Sequence, residues 1–129
     1  MTRGDIINKY ITKYNYKSYL EIGVQRKAQN FNNIVCERKV SVDPAPEDDV
    51  DFRITSDAFF AQNKETFDII FIDGLHHDYQ VFTDIENALK CLNESGTIIC
   101  HDILPNNENE QWKHPGPGGW TGDCWKACM

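Results

Sequence analysis

Apolar positions along this chain follow two alternating rhythms. Ile6, Ile7, Tyr10, Ile11 and Tyr14 recur every three or four residues, and Asp5 is placed to serve a first turn, so residues 4–14 read as an amphipathic helix. "SYLEIGV" (18–24) is a short apolar run closed by glycine, the form of a buried strand. Residues 28–36 predict a second helix, with Phe31, Ile34 and Val35 turned inward. "KVSVDPAP" (39–46) reads as a strand stopped by two prolines, whose ring nitrogens have no proton to give a ladder. "DFRITSDAFFAQN" (51–63) predicts a strand passing into a helix capped by Ser56 or Asp57. "FDIIFIDG" (67–74) is the most hydrophobic strand. Val81, Ile85, Ala88, Leu89 and Leu92 then give residues 79–93 a helical stripe. Glu94-Ser95-Gly96 marks a turn before the strand "GTIICHD" (96–102).

Strand and helix alternate, and the strands are nearly continuous in their apolar character. That combination predicts an α/β fold of three layers, a Rossmann-like, doubly wound and mainly parallel sheet of about five strands. Residues 1–129 form one domain, long enough for a core without disulfide or metal staples. After Pro105 the composition changes, and residues 103–123, rich in glycine and proline, read as a long loop.

Charge narrows the set of partners. Twenty acidic residues against 13 basic ones give a net charge of −7, which speaks against a nucleic-acid partner and not against a small cation. No apolar run approaches the ~20 residues of a membrane helix, and "MTRGDIINKY" lacks a signal-peptide core, so the expected location is the cytoplasm, away from membranes. In that reducing compartment the five cysteines are expected to be free thiols.

The strand exits carry the chemistry. Glu21, Asp43, Asp73 and Asp102 each stand at the end of an apolar run, and Asp57 lies just past "FRI". In a parallel sheet these exits share one edge, and the ligand crevice opens along it where strand order reverses. One such acid is as readily a helix cap as a ligand group. Five of them in this alternation predict a crevice lined with carboxylates.

The succession "YLEIGV", "KVSVDP", "SDAFF", "FDIIFIDGLHHDYQ" and "DIENALKCLNESGTIICHD" resembles the class I S-adenosylmethionine-dependent methyltransferases. The likeness is to the small-molecule and sugar-modifying branch with an "IDGxH" strand exit and a later "HD". The resemblance implies that Glu21 and Gly23 form the turn beneath the cofactor's methionine part, and that Asp43 holds the ribose hydroxyls. It implies that Ser56, Asp57 and Ala58 meet the adenine ring, while Asp73 faces the reacting sulfonium. The family's first motif usually carries more glycine than this chain, which has Gln25 and Lys27 after Gly23, so a wider loop is expected there.

Methyl transfer to oxygen requires an aligned acceptor that loses its proton. His76, three residues past Asp73, is the expected base, since an imidazole titrates near neutrality; His77 is expected to be an exposed neighbour. Asp73, His101 and Asp102 together offer a donor set for Mg2+ or Mn2+. The function these residues imply is methyl transfer to a hydroxyl of a small or sugar-like acceptor. The alternative is a shortened, non-catalytic scaffold, because the family's fold ends in an antiparallel hairpin and this chain stops at Met129. Without that hairpin the 97–101 strand would be an apolar edge, so homo-oligomers joined through it are expected. A dehydrogenase is disfavoured because no G-x-G-x-x-G follows the first strand.

Overall fold

The computed structural model describes residues 2–24, 26–73 and 78–100. Helix α1 (Arg3–Tyr14) starts at a capping box in which Thr2 Oγ1 accepts from the Asp5 N–H and the Asp5 carboxylate accepts from the Thr2 N–H. Strand β1 (Ser18–Ile22) follows, then two 3-10 turns (Lys27–Gln29 and Phe31–Asn33) and strand β2 (Arg38–Val42). Helix α2 (Ser56–Gln62), strand β3 (Phe67–Ile72), helix α3 (Asp78–Lys90) and strand β4 (Leu92–Cys100) complete the described order.

All pairings are parallel and the sheet order is β2-β1-β3-β4. Side chains alternate between two covered faces, which is why the strands read as unbroken apolar runs. Leu20, Ile22, Ile70 and Ile72 share one core with Phe59 of α2 and with Ile85 and Ala88 of α3. Tyr19, Ile69 and Phe71 share the other with Ile7 and Ile11 of α1 and with Phe31 and Ile34. These are the three layers expected of a doubly wound sheet. No described helix is long and apolar enough to cross a membrane. Cys36, Cys91 and Cys100 are free thiols, and burial pushes the Cys91 thiol up to about 11.

Three expectations change in detail. The helix over 28–36 is instead the pair of 3-10 turns, interrupted at Asn30, whose backbone (φ −150, ψ −53) leaves the helical region while its amide turns into the core. Phe31 and Ile34 point inward as expected, but Val35 is 75% exposed. The strand expected at 51–54 contributes a single parallel bridge, Val42 to Phe52. Asp51 spends its carboxylate on the Ser41 N–H and hydroxyl, and Thr55 already caps α2, so little chain remains to extend a ladder. That cap is Thr55, whose Oγ1 accepts from the Ala58 N–H, and not Ser56 or Asp57.

The turn expected at 94–96 is built into β4 as a bulge. Phe67 is level with Leu92, yet Ile69 is level with Thr97, so the register slips between them. The bulge is pinned: Tyr16 donates to the Ser95 carbonyl at 2.8 Å and lies 2.7 Å from Thr97 Oγ1, while Asn93 donates to Asp68 at 2.8 Å. A Cβ at Gly96 would lie 2.6 Å from the Asp68 carbonyl and 2.8 Å from that of Asn93, both backbone atoms that cannot swing away. Gly96→Ala should therefore destabilise the fold by about 1–3 kcal/mol, as overpacking does. Urea unfolding should show a lower midpoint at unchanged slope.

Candidate functional site

Strand β1 leads to β2 on one side and β3 leads to β4 on the other, so the order reverses between β1 and β3. The crevice of such a sheet opens beyond the carboxyl ends at that point. The exits are level there: the Gly23 N–H donates to the Val42 carbonyl at 2.8 Å, and the Asp73 N–H donates to the Ile22 carbonyl at 2.8 Å. Gly23, Asp43 and Asp73 thus leave three neighbouring strands side by side, the outer two separated by about 10 Å of sheet. Gly23 has φ 87, a left-handed conformation that glycine adopts without strain and that turns the chain away at once.

The acids at this edge differ in their surroundings. Asp43 is 9% exposed, and its Oδ1 accepts from the Ala45 N–H at 2.8 Å, which closes the turn through Pro44. Asp73 is half-buried at the end of β3. Glu21 is 2% exposed and points into the α1 face, where the Tyr19 hydroxyl donates to it at 2.5 Å and the Asn30 amide at 3.0 Å. The Asn30 amide also reaches the Tyr19 oxygen at 3.3 Å. Burial, then the charge and hydrogen bond of Glu21, hold the Tyr19 phenol well above its ordinary range, and the charge of Asp73 adds to this. Glu21 and Asp73 therefore act on the same buried phenol, one from within the sheet and one from its edge.

At the other end of the row, Asp57 is exposed in the first turn of α2 and Ser56 is half-buried. Ser56 Oγ donates to Asp84 Oδ1 of α3 at 2.6 Å, and Asp84 is 1% exposed. The loop after Gly23 is tied to the loop after Asp43. Arg26 meets Glu47 through two nitrogens (2.6 and 3.2 Å), and the Lys27 N–H donates to Asp48 at 2.8 Å. Arg26 and Lys27 are thus crossed to the acidic segment beside them, while Gln25 lies outside the described residues.

The structure brings Gly23, Asp43 and Asp73 to one edge, with Glu21 beneath it and Ser56 and Asp57 on α2. Gly74, His76 and His77, and His101 and Asp102, lie outside the described residues. Among the described residues no group of three or more His, Cys, Asp or Glu could hold a metal ion. Reading the sequence missed Tyr19, Asn30 and Asp84. Tyr19 had a usable signal, since it stands two residues before Glu21 and so shares its face of the strand. Asp84 had a weaker one: unlike Glu86 on the other side of Ile85, it stands four residues before Ala88 and three after Val81, on the apolar face of the helix.

A family model described as a methyltransferase domain matches residues 20–103, from the middle of β1 past the end of β4. The search of curated proteins finds no match.

The buried trio makes a measurable claim about pH. The fold favours the neutral Tyr19 phenol, so the unfolded chain, whose tyrosines ionise near 10.0, releases a proton that the folded chain retains. This contribution is complete below pH 10 and is lost as pH rises toward the folded value. Tyr19→Phe should cost about 1–3 kcal/mol at pH 7, because Glu21 loses a buried donor. Its stability should also fall less steeply than the parent's above pH 10, measured by urea unfolding across the alkaline range.

Proposed function

Because this chain belongs to the methyltransferase domain family, we propose that it binds S-adenosylmethionine along the carboxyl edge of its sheet. On this reading it transfers the methyl group to a hydroxyl of a small or sugar-like acceptor. The observation that carries the reading is the level exit of Gly23, Asp43 and Asp73 at the reversal of strand order. The residues there suit this cofactor, since carboxylates accept from ribose hydroxyls and from an amine, and negative charge favours a sulfonium. When bound, the cofactor supplies an electrophilic methyl group.

This chain's own residues do the rest. Asp43, anchored through Ala45, accepts from the ribose hydroxyls. Asp57, with Ser56 and Ala58, meets the adenine edge. Asp73 faces the sulfonium end, and Glu21 adds its field from below, held there by Tyr19 and Asn30. His76, three residues beyond Asp73, takes the proton from the acceptor hydroxyl as its oxygen attacks. Much of the acceleration then comes from holding both partners in line.

Calorimetric titration with S-adenosylmethionine and S-adenosylhomocysteine tests the reading. The parent chain should bind both, and Asp43→Ala should weaken binding by about tenfold or more, the equivalent of one charge-assisted hydrogen bond. No heat from either ligand would sink the assignment. His76→Ala should spare binding and lower the release of S-adenosylhomocysteine with hydroxylated acceptors by about 10²–10⁴-fold. Equal loss of binding and turnover would instead make His76 a structural residue.

A further inference from the structure

The loops that follow β1 and β2 are joined at two levels. At the base, the N–H groups of Gly23 and Val24 both reach the Val42 carbonyl, at 2.8 and 3.4 Å. At the top, Arg26 meets the Glu47 carboxylate through Nε at 2.6 Å and Nη2 at 3.2 Å, and the Lys27 N–H donates to Asp48 at 2.8 Å. A guanidinium that bonds one carboxylate through two nitrogens fixes orientation as well as distance. The hydrogen bond and charge of Glu47 raise the Arg26 guanidinium above its ordinary range, and the charge of Asp48 adds to this. The second loop is also held to β2 at both of its ends. The Asp43 N–H donates to the Phe52 carbonyl at 3.1 Å, the Phe52 N–H to the Ser41 carbonyl at 3.0 Å, and the Asp51 N–H to Ser41 Oγ at 2.9 Å. Glu47, Asp48 and Asp49 stand exposed between those ends.

Gly23 and Arg26 are three residues apart in one loop, and Asp43 and Glu47 are four apart in the other. The two segments and their crosslinks therefore close a ring, with the exits of Gly23 and Asp43 at its base. Exposed ion pairs add little to the stability of a fold. This one lies where two loops meet, so its effect falls on their relative placement. We propose that Arg26 is a positioning residue for ligand binding: its bond to Glu47 holds the loop carrying Asp43 against the loop carrying Gly23. Affinity then depends on the pair and not on either charge alone. The proposal rests on the reading that S-adenosylmethionine lies along this edge, and it adds what keeps the two loops at a fixed spacing.

The test is a double-mutant cycle on the full chain, read by calorimetry with S-adenosylhomocysteine. That compound carries no sulfonium, so loss of a positive charge nearby does not in itself favour its binding. Arg26→Gln and Glu47→Gln should each weaken binding by about two- to fivefold, the range of an exposed pair. The double variant Arg26→Gln/Glu47→Gln should be no weaker than the weaker single one. The parent's advantage over Arg26→Gln should shrink as salt rises from about 0.05 to about 1 M, where screening acts within ~3 Å. Melting temperatures of the free proteins should stay together, because both side chains are exposed. Unchanged affinity in both single variants overturns the proposal. So does a loss in Arg26→Gln with none in Glu47→Gln, since a guanidinium that touched the ligand would not need its partner. Losses that add in the double variant, or that follow a matching fall in melting temperature, overturn it as well. Each of these results leaves cofactor binding by the parent in place, whereas failure of the parent to bind overturns both this proposal and the proposed function.

Discussion

Ile22 is level with Val42 on one side and with Ile72 on the other, and this double parallel register sets the height at which three strands end. Each of those residues is almost wholly buried, so a slip of one position would turn an apolar set toward the wrong layer. Packing therefore holds the register, and the register delivers Gly23, Asp43 and Asp73 together. Chemistry at the edge needs no dedicated scaffold of its own. It inherits its alignment from the core.

Two carboxylates are buried within that core, one on each side of the sheet. Glu21 lies on the α1 face between Tyr19 and Asn30, and Asp84 lies on the other face with Ser56. Buried charge is costly unless donors compensate it, and here neighbouring side chains supply them. The two acids do different work in consequence. Glu21 joins Tyr19 of its own strand to Asn30 of the following loop, whereas Asp84 joins α3 to Ser56 of α2. Neither acts by being exposed.

The alternation of elements was readable because both faces of a parallel sheet must be apolar, and "FDIIFI" and "GTIIC" say so directly. The row of exit acids was readable for the same reason, since any polar residue ending such a run must emerge at the edge. What escaped reading depends on contacts between distant segments. Asn30 looks like one more polar residue in a helical window, and only its bond to Glu21 explains why the helix breaks there. Phe52 reads as part of a strand, but Asp51 had already taken the Ser41 donors that a longer ladder would need. The Arg26 and Glu47 pair joins loops 21 residues apart, and nothing local announces it.

The bulge at the start of β4 bears on how this fold can change in length. Across it the pairing with β3 advances by three residues, from Phe67 opposite Leu92 to Ile69 opposite Thr97. Residues level across a parallel pair share a face, so it is the pairing resumed at Ile69 and Thr97 that sets the layer of each later side chain. Ile98 and Cys100 lie on the α2 and α3 side with their partners Ile70 and Ile72, and Ile99 on the α1 side with Phe71. The three extra residues are taken up inside the bulge, so a change of length between Leu92 and Gly96 falls on the bulge while the pairs from Ile69–Thr97 onward keep their register and their layers.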